Sequence, residues 1–172
     1  MRKWIFLLAL TVALSLFGLL PAKSQDVAAL LPCQTLLVSQ RDGTVCIAAA
    51  EELIGTGRDW DEALQALHDT APGTLFLGTV SSVVFEDSAA GLIPVVMEEP
   101  ELRPAARVCV TDDGAAPSEV EGLTKFLKAH TAGVTLANLR TASAEGEGRE
   151  IPRLYRMDGR YRLGQNVGPA AV

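Results

Sequence analysis

Apolar residues follow two rhythms along the chain: short β-branched runs, and longer stretches in which they return every third or fourth position. Two of the β-branched runs, 33–40 and 44–52, flank Asp42 and Gly43. Asp-Gly between two such runs predicts a β-hairpin. A turn centred on Asp42 would place Val38 opposite Cys46.

The stretch after this hairpin has helical periodicity. Asp59 and Glu62 have the spacing of a capping box in which Asp replaces Ser or Thr. Pro72-Gly73 ends the pattern. The apolar stripe of this helix consists of Trp60, Leu64, Leu67 and Ala71.

The run from Leu75 to Phe85 is apolar and β-branched, which is typical of an interior strand covered on both faces. We expect a second helix over 87–102, capped near Ser88, with Pro94 in its first turn and Pro100 closing it. Another strand is predicted over 105–113.

The second half of the chain continues the alternation. Ser118 and Glu121 have capping-box spacing, and Thr135 is expected to cap a short helix through Leu139. The stretch 141–150 has few apolar groups and predicts a flexible loop. Asp158-Gly159 predicts a second hairpin. The helix that begins after Ser118 has an apolar face of Val120, Leu123, Phe126 and Leu127.

This order of elements predicts an α+β fold with an α/β-like middle: a mixed β-sheet with helices packed on at least one face. We expect a single domain after an N-terminal signal segment. Its α/β part covers 25–145, and a C-terminal hairpin and tail cover 146–172. The length of about 148 residues after position 24 suits one domain.

The first 24 residues have the pattern of a secretory signal peptide: a basic start, a Leu-rich uncharged run, and Ala22 and Ser24 at the small-residue positions before a cut ahead of Gln25. The alternative is an uncleaved membrane anchor, but the run is at the short end of the lengths that span a bilayer, and the cleavage site favours the signal peptide. The expected location is therefore outside the cell, either secreted or on the outer face of the cytoplasmic membrane.

Charge excludes one class of partner. The chain carries 15 Lys and Arg against 21 Asp and Glu, and its first 24 residues hold three basic groups and no acidic one, so the remainder has a net charge of about −9. This acidic balance disfavours nucleic acid and anionic membranes. Within it, the C-terminal hairpin holds a local basic cluster that is either a solvated ribbon face or a candidate interaction patch for an acidic partner: Arg153, Arg156, Arg160 and Arg162.

Groups for chemistry are sparse. Neither His68 nor His130 has a metal-ligand spacing, and the three cysteines, Cys33, Cys46 and Cys109, lie in apolar runs typical of buried positions. No serine lies in a nucleophile-elbow motif. The sequence predicts no catalytic residue, no metal site and no cofactor.

Three short motifs carry a resemblance to a known family. They are Glu62-Ala63-Leu64 in the first helix, Leu75-Phe76-Leu77-Gly78 at the start of the apolar run, and Pro100-Glu101-Leu102-Arg103 before the next strand. In these motifs the chain resembles the N-terminal domain of Ger(x)C-type spore germination proteins, the C subunits of nutrient germinant receptors. The resemblance covers about 28–110.

The family has an EAL helix, an LF-x-GH strand and a DPEIR turn, so the residues with a motif role, interpreted as structural, are Glu62, Leu64, Leu75, Phe76, Gly78, Pro100, Glu101 and Arg103. Thr79 replaces the family's histidine. The lipidated cysteine expected near the family's start is absent, and the family continues through two further domains.

The resemblance and the sparse chemistry together favour a non-enzymatic, exported protein-interaction module linked to spore germination. The resemblance also implies the spore envelope as an alternative location. Its partners would be proteins, including germinant-receptor or other membrane proteins. One alternative is a secreted module that binds a small solute in a pocket between sheet and helices. A less favoured alternative is a small secreted hydrolase that uses Glu98 and Glu99, although adjacent helical residues point about 100° apart.

Overall fold

The computed structural model describes residues 30–130, 133–157 and 160–164. The signal segment predicted over 1–24 lies outside these residues, as do Asp158 and Gly159 of the predicted second turn. No helix among the described residues combines the length and apolarity needed to cross a lipid bilayer.

Ten strands and four α-helices are described. The strands are β1 (Leu30–Pro32), β2 (Thr35–Arg41), β3 (Thr44–Ala50), β4 (Leu53–Gly57), β5 (Thr74–Phe76), β6 (Ser82–Glu86), β7 (Arg107–Thr111), β8 (Val134–Thr135), β9 (Arg153–Met157) and β10 (Arg160–Leu163). The helices are α1 (Trp60–Thr70), α2 (Ile93–Met97), α3 (Val120–Ala129) and α4 (Leu136–Glu145).

Eight strands form one mixed sheet in the order β10-β9-β7-β6-β2-β3-β4, with β8 beside β7. The central strands β2, β6, β7 and β9 run parallel, whereas β3, β4, β8 and β10 pair antiparallel with their neighbours. Strands β1 and β5 form a separate two-stranded sheet. Because the parallel strands share a direction, their carboxyl ends meet at one edge of the sheet, called here the carboxyl edge.

Helices cover both faces of the sheet. The front face, which includes Val38, Val83 and Phe85, packs against α1, α2 and α4. The back face, which includes Leu37, Val84 and Cys109, packs against α3. The layers confirm the predicted α+β fold with a mixed sheet and packed helices. From Leu31 onward the described residues form one compact unit, in which the hairpin of β9 and β10 belongs to the main sheet.

The first hairpin forms with a different register from the one expected. Its two-residue turn has Asp42 at φ 50° and Gly43 at φ 76°, so Arg41 pairs with Thr44. Positive φ at both central residues gives the turn a twist that matches the strands. Val38 therefore lies opposite Ile47, and the predicted pairing of Val38 with Cys46 is wrong by one residue.

The helix starts differ in how they are capped. Asp59 caps α1, because its side chain accepts a hydrogen bond from the Glu62 backbone N–H. The return bond of the predicted capping box differs: the Glu62 carboxylate accepts from the backbone N–H of Arg58 and not from that of Asp59. Thr135 and Asn138 form the complete capping box of α4.

The capping box predicted at Ser118 and Glu121 is wrong. A 3₁₀ turn, Pro117–Glu119, leads directly into α3, and the cap residue Glu119 makes no side-chain bond to the helix. A turn that already has helical hydrogen bonds needs no side-chain acceptor to start the helix.

The long apolar run divides at a 3₁₀ turn, Leu77–Thr79, into β5 and the fully buried interior strand β6. The helix expected over 87–102 is shorter: a 3₁₀ segment, Asp87–Leu92, leads into the five-residue α2 with Pro94 in its first turn. Ser88 lies inside the 3₁₀ segment, and no side chain caps that segment or α2, so the predicted cap near Ser88 is wrong. Helix α4 extends through Glu145 into the predicted loop and ends at Gly146, with φ 71°.

Strand β4 packs backbone to backbone against α1. A Cβ on Gly55 would lie 2.1 Å from the Ala63 carbonyl oxygen and 2.3 Å from the Leu67 nitrogen. Neither group can move without breaking α1, so the contact requires glycine. We predict that Gly55→Ala lowers the free energy of unfolding by about 3 kcal/mol, measured by urea denaturation.

Gly91 is the matched control, because a Cβ there meets no atom within 4 Å. Gly91→Ala is expected to change stability by less than about 0.5 kcal/mol. Equal stability of the two variants would contradict the close approach of β4 and α1.

Candidate functional site

A row of polar side chains crosses the back face of the sheet at the carboxyl edge. Ser39 pairs with Cys46, and Glu86 pairs with Thr111. Ser39 lies beside Glu86, because each follows a residue of the Val38–Phe85 pair. The preceding row of side chains on this face is apolar and is covered by α3. The back face therefore changes from apolar to polar at its last row before the carboxyl edge.

Glu86 is the most unusual member of this row. Its side chain is 0% exposed at the end of the interior strand. Oε1 accepts a hydrogen bond from the Gly114 N–H at 2.9 Å and lies 3.5 Å from Arg41 Nη2. Oε2 is buried without a partner among the described residues. Burying a carboxylate oxygen without a hydrogen-bond donor costs free energy, so an N–H or O–H group beside Oε2 would stabilise the structure.

A groove of about 390 Å³ lies between the back face of the first hairpin and the segment 114–117. Its floor comes from β2 and β3 and its wall from the loop that precedes α3. Apolar and polar groups both contribute to it. The lining residues are Leu37, Ser39, Arg41, Thr44, Cys46, Ala48 and 114–117.

The loops at the carboxyl edge are tied to each other's strands. The loop after β7 donates the Gly114 N–H to Glu86 of β6. The loop after β6 donates the Ser88 N–H to Asp113, which follows β7, at 2.9 Å. This bond lowers the pKa of the Asp113 carboxyl. The two acidic groups therefore fix the loop that forms one wall of the groove.

The four arginines of the candidate interaction patch do not form one surface. Arg153 binds Asp87, at 2.7 Å from Nη1 to Oδ1, and Asp112, at 2.6 Å from Nη2 to Oδ1. The hydrogen bonds that the guanidinium donates to these carboxylates raise the pKa of Arg153. Arg156 lies on the opposite face and pairs with Glu119.

Tyr161 joins the second of these clusters. Its hydroxyl donates to Glu119 Oε2 at 2.6 Å. Burial and this carboxylate raise the pKa of Tyr161, so it stays neutral and keeps donating. Glu119 thereby fastens the hairpin of β9 and β10 to the start of α3.

Arg156 is exposed, but its guanidinium is paired with Glu119. Arg160 and Arg162 are also exposed, and neither pairs with a carboxylate within the described part of the chain. They lie on the front face, opposite Met157 and Tyr155 of β9. Met157 is 54% exposed. We call these four residues, Tyr155, Met157, Arg160 and Arg162, the hairpin front face.

The residues of the resemblance motifs mostly support packing. Leu64 and Leu75 are buried in the front core, and the carboxylate of Glu62 binds Arg58. A Cβ on Gly78 would lie 2.9 Å from the ring of Phe76, which is itself 47% exposed.

The Pro100–Arg103 turn does not use the Glu101–Arg103 pair that its sequence suggests. Glu101 Oε2 lies 3.5 Å from His68 Nε2, and the Arg103 carbonyl accepts from the Ala106 N–H. Pro100 and Arg103 are exposed. The turn is thus held by contacts to α1 and to its own backbone.

Glu99 is a structural residue that the sequence did not indicate. Its carboxylate accepts from Trp60 Nε1 at 2.9 Å and from the Glu101 N–H at 3.1 Å. Arg140 of α4 binds the carbonyl oxygens of Met97 and Glu99. Both Glu99 carboxylate oxygens are engaged in these contacts, while Glu98 is exposed, so the pair does not converge on a cleft.

No group of three or more metal-ligating side chains occurs among the residues that the structure describes. Comparisons of the chain with protein-family models, curated proteins and solved structures return no significant match.

Sequence reasoning missed the polar row. The available signal was Glu86 itself, a charged residue two positions after Val84 at the end of an interior strand. Alternation places both side chains on one face, where a charge is unexpected.

The three thiols, all free, should differ in reactivity. Burial raises the pKa of Cys33 and of Cys109 to about 11, so at pH 8 only about one thiol in a thousand is ionised. Burial also raises the pKa of Cys46, but this thiol lines the groove and is partly exposed to the reagent. We predict that iodoacetamide modifies Cys46 at least about tenfold faster than either other thiol in the native chain, as followed by peptide mass spectrometry.

In denaturant the three thiols should react at similar rates. Cys46→Ser should remove the fast phase and leave the two slow ones. Modification of Cys109 as fast as Cys46 in the native chain would contradict the burial of the back core.

Proposed function

We propose that this chain is an exported, non-enzymatic protein-interaction module, and that its partner docks on the hairpin front face. The observation that carries the proposal is the exposed combination of Met157, Arg160 and Arg162 at the edge of the sheet. Tyr, Met and Arg are enriched in protein interfaces relative to the rest of the surface.

The edge position supports the same interpretation. Among the described strands, β10 pairs only with β9, so its outer side offers backbone N–H and C=O groups to another extended segment. Arg153 and Arg156 already have acidic partners within the chain. Arg160 and Arg162 have none among the described residues, so their positive charges favour an acidic partner protein. Burying the Met157 side chain would supply apolar area at the centre of such a contact.

The remaining parts of the proposal rest on the sequence. Export rests on the predicted signal segment over 1–24. The link to spore germination, and to germinant-receptor or other membrane proteins as partners, rests on the resemblance carried by Glu62-Ala63-Leu64, Leu75 to Gly78 and Pro100 to Arg103.

A photocrosslinking amino acid tests the docking surface directly. Placed at Met157, it should give a defined adduct with a partner protein in producing cells, because that side chain would be buried on docking. Val95 is the matched control, since this apolar residue is 49% exposed, on α2. Arg160→Glu with Arg162→Glu should abolish the Met157 adduct. No adduct, or equal adducts at both positions, would contradict the proposed surface.

The germination link has a separate test. Deletion of the gene from a spore-forming producer should slow the nutrient response of its spores, followed as loss of optical density, while leaving sporulation counts unchanged. The Arg160→Glu, Arg162→Glu variant should fail to restore the rate. Normal germination of the deletion strain would remove this link without affecting the crosslinking result.

A further inference from the structure

Within the described residues, the main sheet ends in a strand with one neighbour on each side of the molecule, β4 at one end and β10 at the other. We propose that the sheet continues from one copy of the chain to the next, with β4 of one copy pairing antiparallel with β10 of a second copy. The inference rests on the proposed function, since it takes the hairpin front face as a docking surface and names a second copy of this chain as its acidic partner.

The strand directions make this pairing antiparallel without rotating the second copy. Strand β4 runs the same way as the parallel central strands, because it is antiparallel to β3 and β3 is antiparallel to β2. Strand β10 runs the opposite way, because it is antiparallel to β9. Two copies side by side in the same orientation therefore set β4 against β10, with both front faces on one side.

Both edges have backbone groups that point outward. In a two-residue hairpin the residues that flank the turn form a hydrogen-bonded pair, and such pairs alternate along an antiparallel ladder. Counting from the turn of the first hairpin leaves the N–H and C=O of Thr56 directed away from β3. Counting from the pair of Met157 and Arg160 leaves the same groups of Leu163 directed away from β9. No described backbone group bonds to either set.

The two edges also match in level. Thr56 and Leu163 are the two ends of one row of paired residues that crosses the whole sheet. Copies that lie side by side therefore set Thr56 of one opposite Leu163 of the next, where their outward groups can bond to each other. The residues of the row between these ends are Cys46, Ser39, Glu86, Thr111 and Leu154.

This register brings opposite charges together on the front face. Arg162 lies opposite Gly57, and Arg160 lies opposite Asp59. Gly57 has no side chain to obstruct Arg162, and a Cβ there would lie 2.5 Å from the Cβ of Glu62, so the Glu62 carboxylate is within reach of the guanidinium. Opposite charges that face each other across antiparallel strands stabilise the pairing.

The wider charge distribution agrees with this contact. The segment 51–70, which contains β4 and α1, holds six acidic residues but only one arginine, Arg58, and no lysine. The β10 edge has two arginines, Arg160 and Arg162, without acidic partners among the described residues. Complementary charge of this kind favours one edge of a copy meeting the other edge of the next.

Two copies joined through the same edge would fit less well. Helix α1 lies directly on β4, as the close approach at Gly55 shows. Pairing β4 with β4 would set two α1 helices above strands about 5 Å apart, whereas packed helix axes are about 8–10 Å apart. Pairing β10 with β10 would bring the arginines of both copies together. In the β4–β10 contact, by contrast, α1 lies beside the exposed hairpin front face.

The contact is open-ended, because each added copy presents a new free edge. The test is sedimentation velocity of the chain as isolated from producing cells. We expect mostly monomer at ~10 µM and a series of dimers, trimers and larger species at ~0.5 mM, since a single strand pairing gives a small, weak interface. Salt at ~0.5 M should reduce the association at least about threefold. Monomers at both concentrations, or association that stops at dimers, would overturn the proposal.

Variants that block one edge test the head-to-tail arrangement. Thr56→Pro removes an outward N–H of β4 while leaving the bonds to β3, and Thr56→Ala, which keeps that N–H, is its matched control. Arg160→Glu with Arg162→Glu blocks the other edge. Each blocked variant alone should be monomeric at ~0.5 mM, whereas an equimolar mixture should form dimers and nothing larger, because each supplies the edge that the other lacks. A monomeric mixture of folded variants would overturn the proposal.

Circular dichroism reports whether each variant is folded. If Thr56→Pro does not fold, Glu62→Arg takes its place, since this side chain is partly exposed. It should weaken self-association at least about tenfold. Unchanged association in folded Glu62→Arg would overturn the charge pairing with Arg162.

A photocrosslinking amino acid at Met157 separates this inference from the proposed function. In the purified chain it should crosslink to the segment 58–66 of a second copy. A purified chain that stays monomeric, while Met157 crosslinks to a different protein in producing cells, would overturn self-association and leave the hairpin front face as a docking surface.

Discussion

The interior strand β6 is the constraint on which the other elements depend. It lies between β2 and β7, parallel to both, and all five of its residues are buried. Val83 and Phe85 enter the front core, and Val84 enters the back core. Because side chains alternate, a slip of one residue would exchange these sets and move Glu86 into the front core, where it would lose the Gly114 N–H. Only the observed register therefore places the apolar side chains of β6 in both cores and keeps the Gly114 bond to Glu86.

The same register determines where polar groups collect. Since β2, β6 and β7 end together, Arg41 and Glu86 meet at the carboxyl edge, and Asp87, Asp112 and Asp113 follow immediately. Backbone N–H groups of the two loops and the Arg153 guanidinium bind four of these carboxylates. The acidic groups at this edge thus hold the loops and the hairpin in place. Among these four carboxylates, only that of Glu86 has a buried oxygen without a donor in the described part of the chain.

Much of the fold could be predicted because local periodicity identifies strands and helices without knowledge of their partners. The alternation around Asp42-Gly43, the Asp59 cap and the Thr135 cap are local signals, and each gave an element in the right place. The errors arose where contacts with neighbouring segments determine the strand register or the bounds of a helix. A two-residue turn shifts the hairpin register by one, and a 3₁₀ turn replaces the side-chain cap before α3. Helix α4 continues to Glu145 because Ala and Ser in 141–145 tolerate a helix and Gly146 can adopt φ 71° to end it.

The candidate sites were less predictable for the same reason. Sequence places four arginines in one hairpin but cannot say that alternation and the carboxylates of Asp87, Asp112 and Glu119 divide them. Ser39 and Arg41 lie on β2 and Glu86 lies on β6, far away in the chain, so their meeting depends on the strand order. The pairing of β2 with β6 bridges more than 40 residues and is invisible to a local pattern.

The segment that follows β7 connects the two surfaces. Asp112 binds Arg153 at the start of β9, Gly114 binds Glu86 and lines the groove, and Glu119 binds Arg156 and Tyr161 of the hairpin. The hairpin is thus anchored by the same short segment that forms the groove wall. The groove lies on the back of β2 and β3, whereas the hairpin front face lies on the other side of the sheet and at its opposite end. A macromolecule on the hairpin front face would therefore leave the groove open to solvent.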